Sequence, residues 1–275
     1  NPKGKPVLVF HGGPGGAMSY RAAKMFDKRF RVILFDQRGC GKSLPLGCLE
    51  HNMTPDLLDD ATRLLNFLNI NDKVIVRGGS WGSTLALVWA IQHPDRVERL
   101  LLSQIFLADE EAKSWEENGA GWFYPDFLDE LKKEAEGADL ASYYGGLIRS
   151  DVLEKQLVAA NTYGFWEVVR SSLQPHWNNC SELSEYELAS QRIFMTYAAN
   201  RFWLSDNYVL ENVDKIAKIP TLIVHNRLDF VCPLKGAYRL HKALPNSELV
   251  VVSGQGHFGG ILADTIKKEI RRVLK

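Results

Sequence analysis

A series of short apolar runs, each closed by a glycine-rich or polar loop, constrains this chain more than any other feature. Val7-Leu8-Val9-Phe10 runs into His11 to Gly16, and Val32-Ile33-Leu34-Phe35 into Asp36-Gln37-Arg38-Gly39. Val74-Ile75-Val76 ends at Gly78-Gly79, and Leu100-Leu101-Leu102, Thr221-Leu222-Ile223-Val224 and Leu249-Val250-Val251-Val252 follow. Runs without a polar alternate face suit strands buried on both sides of a parallel sheet. Helical patterns separate them. Thr54-Pro55 reads as an N-cap followed by proline at the first helical position. Leu57, Leu58, Ala61, Leu64, Leu65 and Leu68 then form one apolar stripe. Thr84 to His93 reads as a second helix stopped by Pro94, and later helices fit about 234–243 and 262–274. The alternation predicts an α/β fold of βαβ units around a mostly parallel sheet flanked by helices.

The stretch 108–206 breaks the alternation. It has no convincing β run, reads as several helices, and holds Trp115, Trp122, Trp166, Trp177 and Trp203. The expected organisation is therefore a catalytic α/β domain from 1–107 and 207–275 with an inserted helical lid at 108–206. The tryptophans are expected to wall an apolar pocket, against the simpler alternative that they fasten a thin helical layer to the main domain.

Composition narrows the function classes. Lys plus Arg and Asp plus Glu both number 33, so no basic excess exists to hold nucleic acid or an anionic membrane. The four cysteines, Cys40, Cys48, Cys180 and Cys232, stand apart without a CxxC, and no His/Glu/Cys group has metal-ligand spacing. No metal is expected. No apolar run is long enough to span a bilayer and the first residues carry no signal-peptide pattern, which makes a cytoplasmic location the default.

Gly78-Gly79-Ser80-Trp81-Gly82 is a G-x-S-x-G pattern set between a predicted strand and a predicted helix. That setting is the one in which the pattern forms a sharp turn with an exposed serine at its tip. Serine needs a base, and this arrangement expects an acid and then a histidine further along the chain. Asp229 and His257 each follow a predicted strand end by five residues, at the sheet edge where open α/β folds place ligands. His257 would take the Ser80 proton, and Asp229 would fix the imidazole tautomer. His225, close to Asp229 in sequence, ends a strand instead. His51, His93, His176 and His241 read as structural or surface residues. An oxyanion needs two N–H donors, here assigned to Trp81 and Gly13, with His11 as a loop brace. Two lookalikes fail. Gly41-Lys42-Ser43 lacks the earlier glycine of a phosphate-binding loop, where Asp36 stands, and Met18 stands at the third glycine of a dinucleotide pattern. No cofactor is expected.

Taken together, His11–Gly16, Asp36–Ser43, Gly78–Leu87, His93–Val97, Arg227-Leu228-Asp229 with Val231-Cys232-Pro233, and Gly256-His257 resemble the prolyl aminopeptidase (proline iminopeptidase) family of α/β-hydrolases. The resemblance implies an α/β-hydrolase domain under a helical lid, and metal-free release of N-terminal proline from peptides. It carries over the triad as Ser80, Asp229 and His257. Three departures accompany it. The family's lid glutamate, which helps bind the substrate amine, is matched by Phe194, and Thr196 and Ala198 replace its His and Phe. The usual Gly-Arg-Tyr-Asp reads Asn226-Arg227-Leu228-Asp229. The segment that precedes the first motif in the family is not in this sequence, so either the sheet loses edge strands or the sequence is a piece of a longer chain. Glu167, Glu182, Glu185 and Glu187 are the candidates to bind the amine in place of the lost carboxylate, Glu167 first because of its aromatic surroundings. The alternatives are a serine hydrolase of this scaffold acting on another small amide or ester, and a non-catalytic ligand-binding protein on the same fold. Carboxylate-nucleophile chemistry is set aside because Ser80 occupies the turn.

Overall fold

The computed structural model describes residues 1–173 and 183–275; His176, Trp177, Cys180 and Glu182 lie outside the described residues. The apolar runs become six strands, β1 (Lys5–Phe10), β2 (Phe30–Leu34), β3 (Val74–Ser80), β4 (Val97–Ile105), β5 (Thr221–Asn226) and β6 (Ser247–Val252). All pair in parallel, in the order β2-β1-β3-β4-β5-β6. The direction of winding reverses between β1 and β3, the place where such sheets leave a crevice at the strand carboxyl ends.

Helix α1 (Thr54–Phe67) covers the sheet through Leu57, Leu58, Ala61 and Leu65. Thr54 is not its cap. Met53 holds that position, and its N–H donates to the Asp56 carboxylate (2.9 Å), while the Thr54 hydroxyl donates to the Phe202 carbonyl. A long-range bond to another segment thus outcompetes the local capping role that the residue type favours. Helix α2 (Trp81–Gln92) is buried on nearly every face, and begins earlier than its apolar pattern alone indicates. Its first turn is built by the glycine turn before it rather than by a capping side chain.

Between β4 and β5 lie α3 (Glu110–Glu117), α4 (Pro125–Ala135), α5 (Leu140–Ile148), α6 (Leu153–Ser171), α7 (Glu185–Ala199) and the short α8 (Tyr208–Glu211). Most of this segment has its own apolar cluster, including Leu131, Tyr144, Ile148, Tyr163, Trp166, Phe194 and Met195, separate from those on the two sheet faces. Helices α9 (Leu234–Ala243) and α10 (Gly260–Val273) then complete the two sheet faces. The expectation that the tryptophans line a pocket holds for Trp115 and Trp122, which line a groove between α3 and α9, and fails for Trp166 and Trp203. Trp166 is 2% exposed inside the helical cluster, Trp122 is 89% exposed, and Trp203 packs edge-on against Tyr197. Large apolar rings contribute most where they are enclosed on every side, and the interior of the helical cluster encloses more of Trp166 than a pocket wall does.

Candidate active site

The site is built at the ends of β1, β3, β5 and β6. Ser80 closes β3 with φ 56° and ψ −132°, a backbone conformation that L-residues rarely adopt. The turn holds because its neighbours lack side chains. A Cβ on Gly82 would overlap the Phe10 carbonyl and stand 2.8 Å from His11 O, and one on Gly78 would overlap Gly82. The strand therefore runs directly into α2, with the serine at the apex.

His257 Nε2 lies 3.2 Å from Ser80 Oγ, and His257 Nδ1 lies 2.9 and 2.8 Å from the two Asp229 oxygens. A carboxylate only accepts, so Nδ1 carries the proton and Nε2 presents its lone pair to the serine hydroxyl. Asp229 is 3% exposed and accepts from the N–H groups of Val231 (3.0 Å) and Cys232 (2.8 Å), which fixes its rotamer. The three residues that the sequence singled out thus meet in one chain of hydrogen bonds.

His225 sits 3.8 Å from Asp229 but cannot compete for the serine. Its Nδ1 accepts from the Ile105 N–H (3.0 Å) and its Nε2 donates to Cys232 O (2.8 Å). Burial lowers its pKa and keeps it neutral, a strut between β4 and the Asp229 loop. His11 is also a brace, with its pKa lowered by burial. Its Nε2 accepts from Gln37 N–H (2.9 Å), and the Gln37 amide donates to His11 O (2.9 Å). The Gln37 side-chain oxygen accepts from the Trp81 indole (3.1 Å). Gln37 therefore links the Gly12-Gly13 loop to the first residue of α2, the two places assigned to oxyanion donors. Gly13 lines the same cavity as Ser80, and the Trp81 N–H stands at the start of α2, where the helix dipole favours negative charge.

The cavity at Ser80 is tight, about 30 Å³, and is roofed by the helical segment. Glu167 and Phe194, both named from sequence, line it with Glu116, Arg170, Phe106 and Phe202. Phe194 brings a phenyl face, tilted against Tyr163 at 5.9 Å. Arg170 pairs with Glu116 (2.7 Å), whose carboxylate also accepts from the Tyr163 hydroxyl (3.1 Å). Burial lifts the Glu167 carboxyl above the ordinary range, while Arg170 and His257 pull it back. The lining thus holds two carboxylates and one guanidinium, a formal charge of minus one beside Ser80. Glu187 instead closes a capping box with Ser184 at the start of α7, and Glu185 is exposed on the same first turn.

Sequence reasoning missed several residues. Glu116 and Arg170 belong to no motif. Gln104, at the end of β4, donates to His257 O (2.7 Å), and Asn226 donates to Gly256 O, so both hold the histidine loop. Arg77 is buried behind the turn, donating to Ser103 Oγ (2.8 Å), and burial brings its pKa down to about 10. The one available signal was position: Gln104 and Asn226 close strands at the sheet edge that bears the site. Among the described residues no group of His, Cys, Asp and Glu could hold a metal ion, and no helix is long and apolar enough to cross a membrane.

A parallel sheet with its serine turn, acid and histidine at the ends of β3, β5 and β6 defines the α/β-hydrolase class, and residues 5–264 match the family model of the alpha/beta hydrolase fold. The chain belongs to that fold family. Its likeness to solved structures agrees at the level of fold: a thermophilic esterase from Thermogutta terrifontis aligns with TM-score 0.59 and 21% identity, over 99% of this chain and 90% of that one. A carboxylesterase structure from Nitrososphaera gargenis gives 0.61 and 18%, over 100% and 89%. Sequence relatives are more specific. A proline iminopeptidase of Arabidopsis thaliana is 43% identical over 265 residues, 93% of this chain and 70% of that protein. One of Neisseria gonorrhoeae is 37% identical over 283 residues, 100% and 90%. Within the α/β hydrolases, the chain belongs to the proline iminopeptidase family.

Proposed function

We propose that this chain is a serine aminopeptidase that releases N-terminal proline through an acyl-enzyme. The observation that carries the reading is the tight cavity lined by Ser80 and Glu167, with a formal charge of minus one. Its acidic lining suits a residue bearing a free ammonium. The lining glutamates supply the carboxylate that Phe194 does not, and the phenyl ring offers a face to the pyrrolidine ring. The proline iminopeptidase relatives support the same substrate class.

Ser80 Oγ attacks the prolyl carbonyl carbon while His257 Nε2 takes its proton. The Gly13 and Trp81 N–H groups hold the oxyanion. The imidazolium, stabilised by Asp229, gives that proton to the departing nitrogen, and the C–N bond breaks. Water, deprotonated by His257, then attacks the ester, and proline leaves as Ser80 regains its proton. The helical segment 108–206 acts as a cap over this chemistry, on the α/β domain formed by 1–107 and 207–275.

The reading is tested by kcat/KM for proline p-nitroanilide, alanine p-nitroanilide, N-acetylproline p-nitroanilide and p-nitrophenyl acetate, with Ser80→Ala as blank. Ser80-dependent turnover of the free prolyl anilide far above its acetylated form supports it. Turnover of the ester alone refutes the peptidase and leaves the alternative, a hydrolase of small esters on the same triad.

A further inference from the structure

We propose that the open groove between α3 and α9 holds the peptide following the scissile bond, and that Trp122 makes it select an aromatic residue there. The inference rests on the aminopeptidase reading and adds the side of the substrate that leaves. The groove encloses about 570 Å³, against about 30 Å³ for the cavity at Ser80. The two adjoin, since Phe106, Ala112 and Cys232 line both. With the first residue at Ser80, the remainder of a peptide has the larger space beside it.

One side of the groove carries Trp115 and Trp122, and Trp115 is backed by an aromatic cluster. The Trp115 indole donates to Phe230 O (2.8 Å), and its ring lies nearly parallel to that of Phe230 at 6.4 Å. Phe123 packs on Phe230 at 4.7 Å. Phe230 follows Asp229 directly, so the aromatic wall is fastened to the loop that carries the acid of the site. Trp122, which lines the groove, has 89% of its surface in water, and Phe123, its neighbour in sequence, is 58% exposed. Large apolar surface left bare next to a reaction site marks a place for a ligand.

The charges across the groove cancel. Glu111 pairs with Lys235 (2.7 Å) and Arg239 (2.9 Å), and Arg239 also pairs with Asp109 (2.7 Å). Neither an acidic nor a basic side chain is favoured, and among the described lining residues both cations are already paired. Recognition falls to apolar contact and ring stacking, and peptides of more than two residues are accepted.

The test compares kcat/KM for Pro-Phe-NH₂ and Pro-Gly-NH₂ in the wild type, Trp122→Ala and Trp122→Phe, with thermal melts confirming the fold. The wild type is expected to favour phenylalanine by roughly tenfold, the scale of one good aromatic contact. Trp122→Ala is expected to bring the ratio close to one, and Trp122→Phe to retain most of it. A wild-type ratio near one, or a ratio that survives Trp122→Ala, overturns the proposal while prolyl turnover persists. If no prolyl amide is cleaved in a Ser80-dependent way, the aminopeptidase reading fails and the groove assignment with it.

Discussion

Glu167→Gln isolates the charge that the proposed activity requires. The change keeps size and hydrogen-bonding capacity and removes one negative charge. Glu116 is already offset by Arg170 at 2.7 Å, so the formal charge beside Ser80 falls from minus one to none. A hydrogen bond to a charged partner contributes about 1.5–3 kcal/mol, and about 2 kcal/mol corresponds to roughly a 30-fold change. The expected result is a roughly 30-fold fall in kcat/KM for proline p-nitroanilide, mostly in KM, with p-nitrophenyl acetate turnover nearly unchanged. The pH profile gives a second reading. Because burial raises the Glu167 carboxyl, it protonates before an ordinary glutamate as the pH falls, and a neutral carboxyl no longer pairs with an ammonium. Wild-type KM for prolyl substrates should therefore rise toward acid pH, and the Gln variant should lack that rise. Equal losses on anilide and ester, with the fold intact by circular dichroism, would refute the assignment, as would no loss on either.

Three further perturbations follow. Asp229→Asn presents an amide N–H or oxygen to His257 Nδ1 and disturbs the tautomer, so kcat should fall by about 10⁴ with KM little changed, in steady-state assays. Gly82→Ala places a methyl against the carbonyls of Phe10 and His11, and a melt should show a loss of about 1–3 kcal/mol together with lost activity. Burial first, then Asp139, pushes the Glu117 carboxyl up to about 7 from its ordinary value of 4.5. Between those values the unfolded chain binds fewer protons than the folded one, so Glu117 makes stability fall as pH rises through that window. Glu117→Gln should accordingly raise Tm at pH 8 and have a smaller effect near pH 5.

The sheet and the Ser80, Asp229 and His257 positions were readable in the sequence because their determinants are local. Buried parallel strands write continuous apolar runs, and a serine apex needs Gly78 and Gly82 at fixed offsets. The acid and base stand just beyond the runs that became β5 and β6. The cap chemistry was only half readable. Glu167 drew attention through its aromatic neighbours, but Glu116 and Arg170 meet only because α3 packs across α6, and neither helix carries a pattern that encodes the crossing. The same holds for Gln37, whose three hydrogen bonds join segments far apart in sequence. The Trp residues misled because ring size predicts burial and not which cavity is faced. Trp166 went to the core, whereas Trp115 and Trp122 line the groove beside the site. Thr54 misled in a related way, since its hydroxyl bonds to Phe202 rather than to its own helix.

The central claim is that Ser80 and the charge beside it act together on an N-terminal proline. Its most direct test is the free proline liberated from an unlabelled Pro-Phe-NH₂ peptide, compared among the wild type, Ser80→Ala and the N-acetylated peptide. One equivalent of proline per peptide consumed, absent with Ser80→Ala and with the acetylated substrate, is the predicted result. An intact peptide in the presence of protein that still cleaves p-nitrophenyl acetate would contradict it.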